Sequence, residues 1–150
     1  MTKGLYIHGS PALDLYAVCT DTGLELPLAQ EGISAGFPSP AQDFMDVAID
    51  LNKELIKSPS STFYARVKGT SMQGAGIDHG DLLVIDKSVL PGDGKIAVCY
   101  VDGDFTVKRI KMERDGCWLM PANPAYKPIQ ITADNDFLLW GIVIYLIKPV

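Results

Sequence analysis

The sequence predicts a mainly β protein: a coiled antiparallel sheet or small barrel, with one or two short N-terminal helices and a flexible N-terminal arm. Two observations favour this class. After residue 62 the chain consists of short β-branched or apolar runs, and tight turns rich in glycine, proline and aspartate separate them. The chain has 150 residues, of which 47% are hydrophobic, so it can bury the core of one ordinary domain.

The N-terminal segment, residues 1–38, differs from the rest of the chain. Its apolar residues keep no long period, and glycines and prolines interrupt it repeatedly. We therefore expect an arm that is partly extended and lies against a body rather than forming one. The predicted organisation is an arm of residues 1–38 followed by a body of residues 39–150.

A helix is predicted at the start of the body. Ser39 is a favourable N-cap, Pro40 suits the first helical position, and Gln42 completes a capping-box pattern. Apolar residues then recur with helical spacing at Phe44, Val47, Ala48 and Leu51. A break near Asp50 would divide the segment into two short helices.

Seven strands are predicted in the rest of the body, each bounded by residues that favour turns. They cover residues 63–68, 82–86, 95–101, 105–112, 117–120, 129–131 and 137–147. The last of them is the longest apolar run of the chain, and its eleven residues are well short of the ~20 that a membrane helix needs. We interpret this run as a buried strand.

The distribution of charge argues against a dedicated nucleic-acid binder. Residues 1–60 contain eight acidic and three basic residues, whereas residues 61–150 contain ten of each. No basic stripe is present that could neutralise a run of phosphates.

Cysteine usage and the N-terminus indicate a cytoplasmic protein without a metal or cofactor. The three cysteines are widely spaced and form no CxxC motif, which is typical of a reducing compartment and not of a disulfide framework. The two histidines complete no zinc ligand set. The first residues lack the apolar core of a signal peptide.

A candidate nucleophile, Ser71, lies where an apolar strand gives way to a glycine-rich loop, in the sequence Lys-Gly-Thr-Ser-Met-Gln-Gly. Such a junction can expose a side chain and direct backbone N–H groups at one point, as an oxyanion site requires. Taken alone, a serine in a strand-end turn is the better interpretation. His79 lies only eight residues further on, but in a turn expected to be solvated, so a Ser-His-Asp site has weak support.

Lysine is the other candidate base. The strand period places Thr106, Lys108, Ile110 and Met112 on one face, where Lys108 is the only charged residue. If that face is buried, desolvation lowers the pKa of Lys108 towards neutrality, and a neutral amine can accept a proton from a serine. A lysine that extends its ammonium group from a strand edge into solvent is a commoner arrangement than a catalytic lysine.

The arm contains a candidate scissile bond between Ala35 and Gly36. The two residues are small and lie in the broken segment, although any linker can contain such a pair. Ala35 precedes Ser71 by 36 residues, and Ser71 precedes Lys108 by 37.

Taken together, these residues resemble the UmuD group of the LexA-type self-cleaving serine–lysine peptidases, from about Ser34 to the C-terminus. The segments that carry the resemblance are Gly36-Phe37-Pro38-Ser39-Pro40-Ala41, Ile49-Asp50-Leu51-Asn52, Gly69-Thr70-Ser71-Met72, Gly80-Asp81-Leu82-Leu83, Asp102-Gly103-Asp104-Phe105-Thr106-Val107-Lys108 and Pro121-Ala122-Asn123-Pro124-Ala125-Tyr126. Both intervals given above agree with the family. One difference is that UmuD proteins typically carry cysteine before the glycine of the cleaved bond, whereas Ala-Gly is similar to LexA and phage repressors.

The resemblance implies a fold of the LexA and signal-peptidase type and a role for each site residue. Ser71 would be the nucleophile and Lys108 the general base, while the backbone N–H groups of Thr70 and Ser71 would form the oxyanion hole. The cleaved bond would be that between Ala35 and Gly36. The implied function belongs to the SOS response: self-cleavage stimulated by a RecA–single-stranded DNA filament, then a homodimeric product that joins a UmuC-type subunit as a translesion DNA polymerase. Contact with DNA would then come mainly through these partners.

Two alternatives share this fold. A self-cleaving transcriptional repressor would use the same chemistry but needs a DNA-binding domain upstream, and residues 1–35 are short and acidic for that role. An interaction module that keeps the fold without cleavage is the second alternative, against which the complete set of Ser71, Lys108, Ala35 and Gly36 argues. A signal peptidase also uses serine and lysine, but no membrane anchor is predicted.

Overall fold

The computed structural model describes residues 5–19, 25–28 and 47–150, and these residues form a mainly antiparallel β structure. Within them lie eleven strands and one α-helix of five residues, α1 (Leu51–Leu55). The strands are β1 (Leu5–Gly9), β2 (Leu13–Ala17), β3 (Glu25–Leu28), β4 (Val47–Asp50), β5 (Thr62–Val67), β6 (Leu82–Asp86), β7 (Ile96–Val101), β8 (Asp104–Glu113), β9 (Gly116–Met120), β10 (Ile129–Ile131) and β11 (Phe137–Ile147). The mainly β fold class is therefore confirmed.

Nine of these strands form one sheet in the order β1-β2-β5-β6-β11-β7-β8-β9-β10. Every neighbouring pair is antiparallel, and β3 and β4 form a separate two-stranded sheet. All seven strands predicted after residue 62 are present, with shifts of only one residue at some ends. No helix in the described part of the chain is long and apolar enough to span a membrane.

A tight turn between β7 and β8 fixes the register of the strand that carries Lys108. Asp102 and Gly103 have φ angles of +48° and +99°, in the left-handed region that a two-residue hairpin turn requires. Asp102 also holds the turn from its side chain, accepting hydrogen bonds from Asn135 Nδ2 and the Asp136 N–H. With this turn in place, Lys108 is opposite Ala97 on β7.

Two apolar clusters form the core. The first lies under β2, β5, β6 and the loop after β5, and comprises Leu13, Leu15, Ala65, Val67, Met72, Ile77, Leu83, Ile85, Val98 and Val107. The second comprises Ala97, Cys99, Ile110, Leu119 and Ile142. Since Val107 and Ile110 belong to different clusters, β8 is buried on both faces in the stretch around Lys108, which removes that side chain from solvent.

The N-terminal segment contributes regular structure that the sequence analysis does not predict. Strands β1 and β2 form a hairpin at the edge of the large sheet, and β2 pairs with β5 over five residues. Leu13 and Leu15 are fully buried in the first core cluster. This part of the predicted arm is therefore built into the body, while the division of the chain at residue 38 stays a prediction.

The predicted helix is wrong for residues 47–50, which form strand β4. Their backbone pairs with β3, and this tertiary contact overrides the local helical spacing. The helix begins only after Asp50, whose side chain accepts a hydrogen bond from the Asn52 N–H at 3.0 Å as an N-cap. The proposed start at Ser39, Pro40 and Gln42 lies outside the described residues.

Candidate active site

Ser71 lies in the loop that follows β5. Gly69, two residues after the end of β5, has a φ of +81°, in the left-handed region that favours glycine. A short 3₁₀-helix, Gln73–Ala75, follows, and Met72 and Ile77 on either side of it are buried in the first core cluster. These two buried side chains anchor the loop, so the partly buried Ser71 is held in a defined position.

A second loop, between β9 and β10, braces the Ser71 loop from the other side. The Ala122 N–H donates to Ser71 O at 2.8 Å, and the Gly74 N–H donates to Ala122 O at 2.6 Å. Asn123 Nδ2 donates to Thr70 O at 2.9 Å. A Cβ atom at Gly74 would lie 2.6 Å from Ala122 O, so the close approach of the two loops requires glycine there.

Lys108 extends from β8 towards Ser71, and its residue is 6% exposed. Its Nζ atom is 3.0 Å from Ser71 Oγ, 2.8 Å from Thr106 Oγ1 and 3.1 Å from Val107 O. None of the ion pairs among the described residues involves Lys108. The amine is therefore surrounded by hydroxyl and carbonyl oxygens, without a carboxylate to hold it in the charged form.

This environment lowers the pKa of Lys108 to about 8. Burial is the main cause, because it penalises the ammonium form. Cys99 acts in the opposite direction, but burial raises the pKa of the Cys99 thiol to about 12, so this thiol is uncharged at the pH where Lys108 titrates. A substantial fraction of Lys108 is consequently neutral in mildly alkaline solution.

The three oxygen atoms around Lys108 Nζ can form hydrogen bonds with the amine in either protonation state. The state decides whether Ser71 Oγ accepts or donates its hydrogen bond. An ammonium group can donate one hydrogen bond to each of them. A neutral amine has two N–H donors and one lone pair, and Val107 O can only accept. If Thr106 Oγ1 takes the second donor, the lone pair of the amine points to Ser71 Oγ, whose O–H then becomes the donor.

The two side chains lie in a cleft of about 270 Å³. Its lining residues include Pro11 and Ala12 from the turn of the N-terminal hairpin. Tyr126 also lines it and has its phenol oxygen 3.3 Å from Thr70 Oγ1. A larger pocket of about 580 Å³ lies beside Trp118 on β8 and β9, but it includes neither member of the Ser71–Lys108 pair.

The structure brings together some of the predicted site residues and not others. Ser71 and Lys108 are in hydrogen-bond contact, and the N–H groups of Thr70 and Ser71 donate to no other described residue. Ala35 and Gly36 lie outside the described residues. His79 is exposed and accepts a hydrogen bond from the Gly69 N–H.

The predicted shared face of β8 is buried around Lys108 but not along the whole strand. Thr106 and Ile110 face the interior with Lys108, whereas Met112 is 56% exposed because the strand runs past the core there. The strand period could have identified Thr106 as a partner of the lysine. Asn123 lies in a segment that carries the family resemblance, but no local signal assigns it or Pro11 to the site, since their contacts join distant parts of the chain.

The chain matches the Peptidase S24-like family over residues 27–144. It is 40% identical over 117 residues to Protein SamA of Salmonella typhimurium, a match that covers 78% of this chain and 81% of SamA. It is 39% identical over 119 residues to Protein MucA of Escherichia coli, with 79% and 81% of the two chains covered. The LexA repressor of Acidithiobacillus ferrooxidans is 36% identical over 119 residues, which are 77% of this chain and 58% of the repressor.

A match over most of the chain, together with relatives of this identity, is decisive for the class: the chain belongs to the Peptidase S24-like family, a family of self-cleaving peptidases. Within that family the chain is a UmuD-like protein of SOS mutagenesis. The resemblance inferred from the sequence motifs is thereby confirmed.

Proposed function

We propose that this protein cuts its own chain between Ala35 and Gly36, with Ser71 as the nucleophile and Lys108 as the general base. The observation that carries the proposal is the 3.0 Å contact between Lys108 Nζ and Ser71 Oγ. It is made by a buried lysine with a lowered pKa and no ion pair among the described residues. A neutral amine at this distance is positioned to accept the serine proton.

The reaction is an acyl transfer followed by hydrolysis. As Ser71 Oγ attacks the carbonyl carbon of Ala35, its proton moves to Lys108 Nζ. When the tetrahedral intermediate collapses, the C–N bond breaks and the ammonium group returns this proton to the leaving nitrogen of Gly36. Water then attacks the ester carbonyl and gives a proton to the neutral Lys108. As the C–Oγ bond breaks, Lys108 returns this proton to Ser71 Oγ, and the new carboxyl group of Ala35 loses its proton to solvent.

The oxyanion of the tetrahedral intermediate needs donors close to Ser71. The N–H groups of Thr70 and Ser71 suit this role, because they have no other acceptor among the described residues. The braced loop supports the assignment, since donors fixed in advance need no reorganisation as negative charge develops. Asn123, which holds the carbonyl of Thr70, is a positioning residue in this scheme.

Because the scissile bond is part of the same chain, tethering supplies it at high effective concentration and little intrinsic affinity is needed. Control must therefore come from the population of chains in which the bond is docked at Ser71. We propose that the docked form is a minor population and that a RecA–single-stranded DNA filament binds it preferentially. The product, residues 36–150, would form a homodimer and join a UmuC-type subunit as a translesion DNA polymerase.

The proposal is tested by incubating the purified protein with RecA, single-stranded DNA and a nucleoside triphosphate and measuring intact masses. We expect two products whose masses correspond to residues 1–35 and 36–150. Ser71→Ala and Lys108→Arg should each stay full-length, with activity reduced at least about 1,000-fold. The arginine variant is informative because it keeps the positive charge but cannot act as a base near neutral pH.

Two matched controls lie outside the cleft. Ser60→Ala and Lys53→Arg make the same substitutions at exposed residues and should cut like the wild type. Gly36→Glu should block cleavage by adding bulk and charge next to the reacting carbonyl. A normal fragment from Ser71→Ala or Lys108→Arg would remove that residue from the mechanism, and a cut at another bond would refute the assigned site.

A further inference from the structure

The N-terminal hairpin is an integral part of the large sheet, although it belongs to the segment that the proposed cut would detach. Strand β2 pairs with β5 from Leu13↔Val67 to Ala17↔Phe63. Strand β3 pairs with β4 from Glu25↔Asp50 to Leu28↔Val47. Two separate strand pairings therefore join residues before the cut to residues after it.

Side chains of the hairpin also fill the core of the body. Leu13 and Leu15 are fully buried in the cluster that contains Met72, the residue next to Ser71. Removing β2 would expose this cluster and convert β5 into a sheet edge with unpaired backbone groups. The body would lose apolar contacts under the loop that holds Ser71.

The turn of the hairpin is held by polar contacts of its own. The buried Ser10 donates from its Oγ to Phe105 O at 2.8 Å. The Lys68 N–H donates to Ala12 O at 2.8 Å, and Lys68 Nζ pairs with Asp14 at the same distance. These contacts connect the turn to both β5 and β8, the two strands next to the cleft.

From this arrangement we propose that the N-terminal fragment stays bound to the body after cleavage, so that each copy of the product of residues 36–150 keeps residues 1–35 as a second, non-covalently held chain. The proposal rests on the proposed cleavage between Ala35 and Gly36, but it holds for any cut between β3 and β4. Strand pairing and burial of Leu13 and Leu15 are independent of the covalent link. The cut product then keeps the wall of the cleft that the hairpin turn forms.

The experiment is size-exclusion chromatography of the cleaved wild-type protein, with intact mass analysis of each fraction. In native buffer we expect both fragments in one peak, and in guanidinium chloride we expect them to separate. Hydrogen exchange supplies a second readout, because the amides of Leu13–Ala17 that are protected in the uncut chain should remain protected after the cut. A native body peak without the N-terminal fragment, including one in which the body pairs with a second copy through β5, would overturn the proposal.

Failure of self-cleavage is distinguished by a second protein. A Ser71→Ala chain with an exposed, foreign protease recognition sequence inserted between residues 35 and 36 can be cut from outside. Coelution of its fragments supports the proposal even if the wild type does not cut itself, and separation refutes it. If the protease does not cut the inserted sequence and the wild type is also uncut, the chain is not cleavable between β3 and β4, and this proposal is refuted.

A variant pair shows whether burial of the hairpin holds the fragment. Leu15→Ala should raise the dissociation constant of the fragment on the order of 100-fold, because it removes a fully buried side chain. Asp14→Asn, on the same strand, should change it by less than about fivefold, because it removes only a surface ion pair. Equal, small effects of both substitutions would contradict the role of the core contact, and if Leu15→Ala fails to fold, the wild-type elution still decides.

Discussion

The cleft has a lysine on each of two walls, and the pKa values of the two amines are shifted in opposite directions. On the wall next to the hairpin, Lys68 pairs with Asp14 at 2.8 Å and its side chain is 38% exposed. Hydrogen bonding to that carboxylate raises the pKa of Lys68 above its ordinary value. On the wall formed by β8, Lys108 is 6% exposed, pairs with no described carboxylate, and has its pKa lowered to about 8.

The comparison shows what lowers the pKa of a lysine in this fold. Both amines have several hydrogen-bond partners, so the number of contacts does not separate them. What separates the two amines is the kind of partner. A carboxylate stabilises the ammonium form, whereas hydroxyl and carbonyl oxygens accept hydrogen bonds without compensating the cost of burying the charge. The strand pattern around Lys108, with Thr106 before it and Ile110 after it, supplies that second environment.

The largest effect expected from this difference is on the pH dependence of cleavage. In the proposed mechanism the neutral form of Lys108 is the base. Since the pKa of Lys108 is about 8, the rate should rise with pH and level off above about pH 8 to 9. Between pH 6 and pH 8 we expect an increase of about 50-fold. Initial rates of RecA-independent cleavage of the purified protein, followed by intact mass from pH 6 to pH 10, measure it.

Lys68 on the other wall of the cleft provides the control for this pH profile of cleavage. Lys68→Gln removes the second lysine, and Lys68 is not among the causes of the lowered pKa of Lys108, so the midpoint should stay near pH 8. A rate that increases as the pH falls below neutral would exclude a lysine base. A midpoint that moves with Lys68→Gln would show that the two walls are coupled.

The next effect is on stability, and its sign follows from the same lowered pKa. The folded protein releases the Lys108 proton near pH 8, whereas the unfolded chain keeps it until about pH 10.4. Between these values the unfolded state binds more protons, so the free energy of unfolding rises with pH. Below pH 8 the cost of burying the ammonium group is fully present.

Lys108→Met isolates this contribution when both proteins carry Ser71→Ala to prevent cutting. Relative to the methionine variant, the protein with Lys108 should gain about 1–3 kcal/mol of unfolding free energy between pH 7 and pH 10.5. Urea denaturation at both pH values measures the difference. A difference that is independent of pH would mean that folding does not lower the pKa of Lys108.

Local signals were sufficient to predict the strands after residue 62. Turns such as Asp102-Gly103 need left-handed φ angles that glycine and aspartate tolerate. Short apolar runs between such turns indicate β-strands. The same alternation identified the face of β8 that carries Lys108. The 3.0 Å contact between Lys108 and Ser71 could not be predicted from spacing, because it depends on how the strands and loops between these two residues fold in three dimensions.

The N-terminal half of the chain shows why local patterns fail. Strand β2 is short, and its partner β5 begins 45 residues after β2 ends, so only the folded sheet shows that Leu13 and Leu15 are core residues. Residues 47–50 have helical spacing but pair with β3, another contact between distant segments. In both places tertiary pairing overrides the local preference of the sequence.

The smallest effect is expected for Asp14→Asn, which removes the carboxylate that distinguishes the two lysines. The pair is partly exposed, with side-chain exposures of 38% and 22%, so its loss should lower the Tm by no more than about 2 °C. High salt should erase the difference, since exposed ion pairs are screened, and thermal unfolding at two salt concentrations tests both statements. The pKa of Lys68 should fall towards its ordinary value, while the cleavage midpoint set by Lys108 stays in place. A large loss of Tm that persists in high salt would instead identify Asp14 as a structural anchor of the hairpin, and the two walls would then differ in packing as well as in charge.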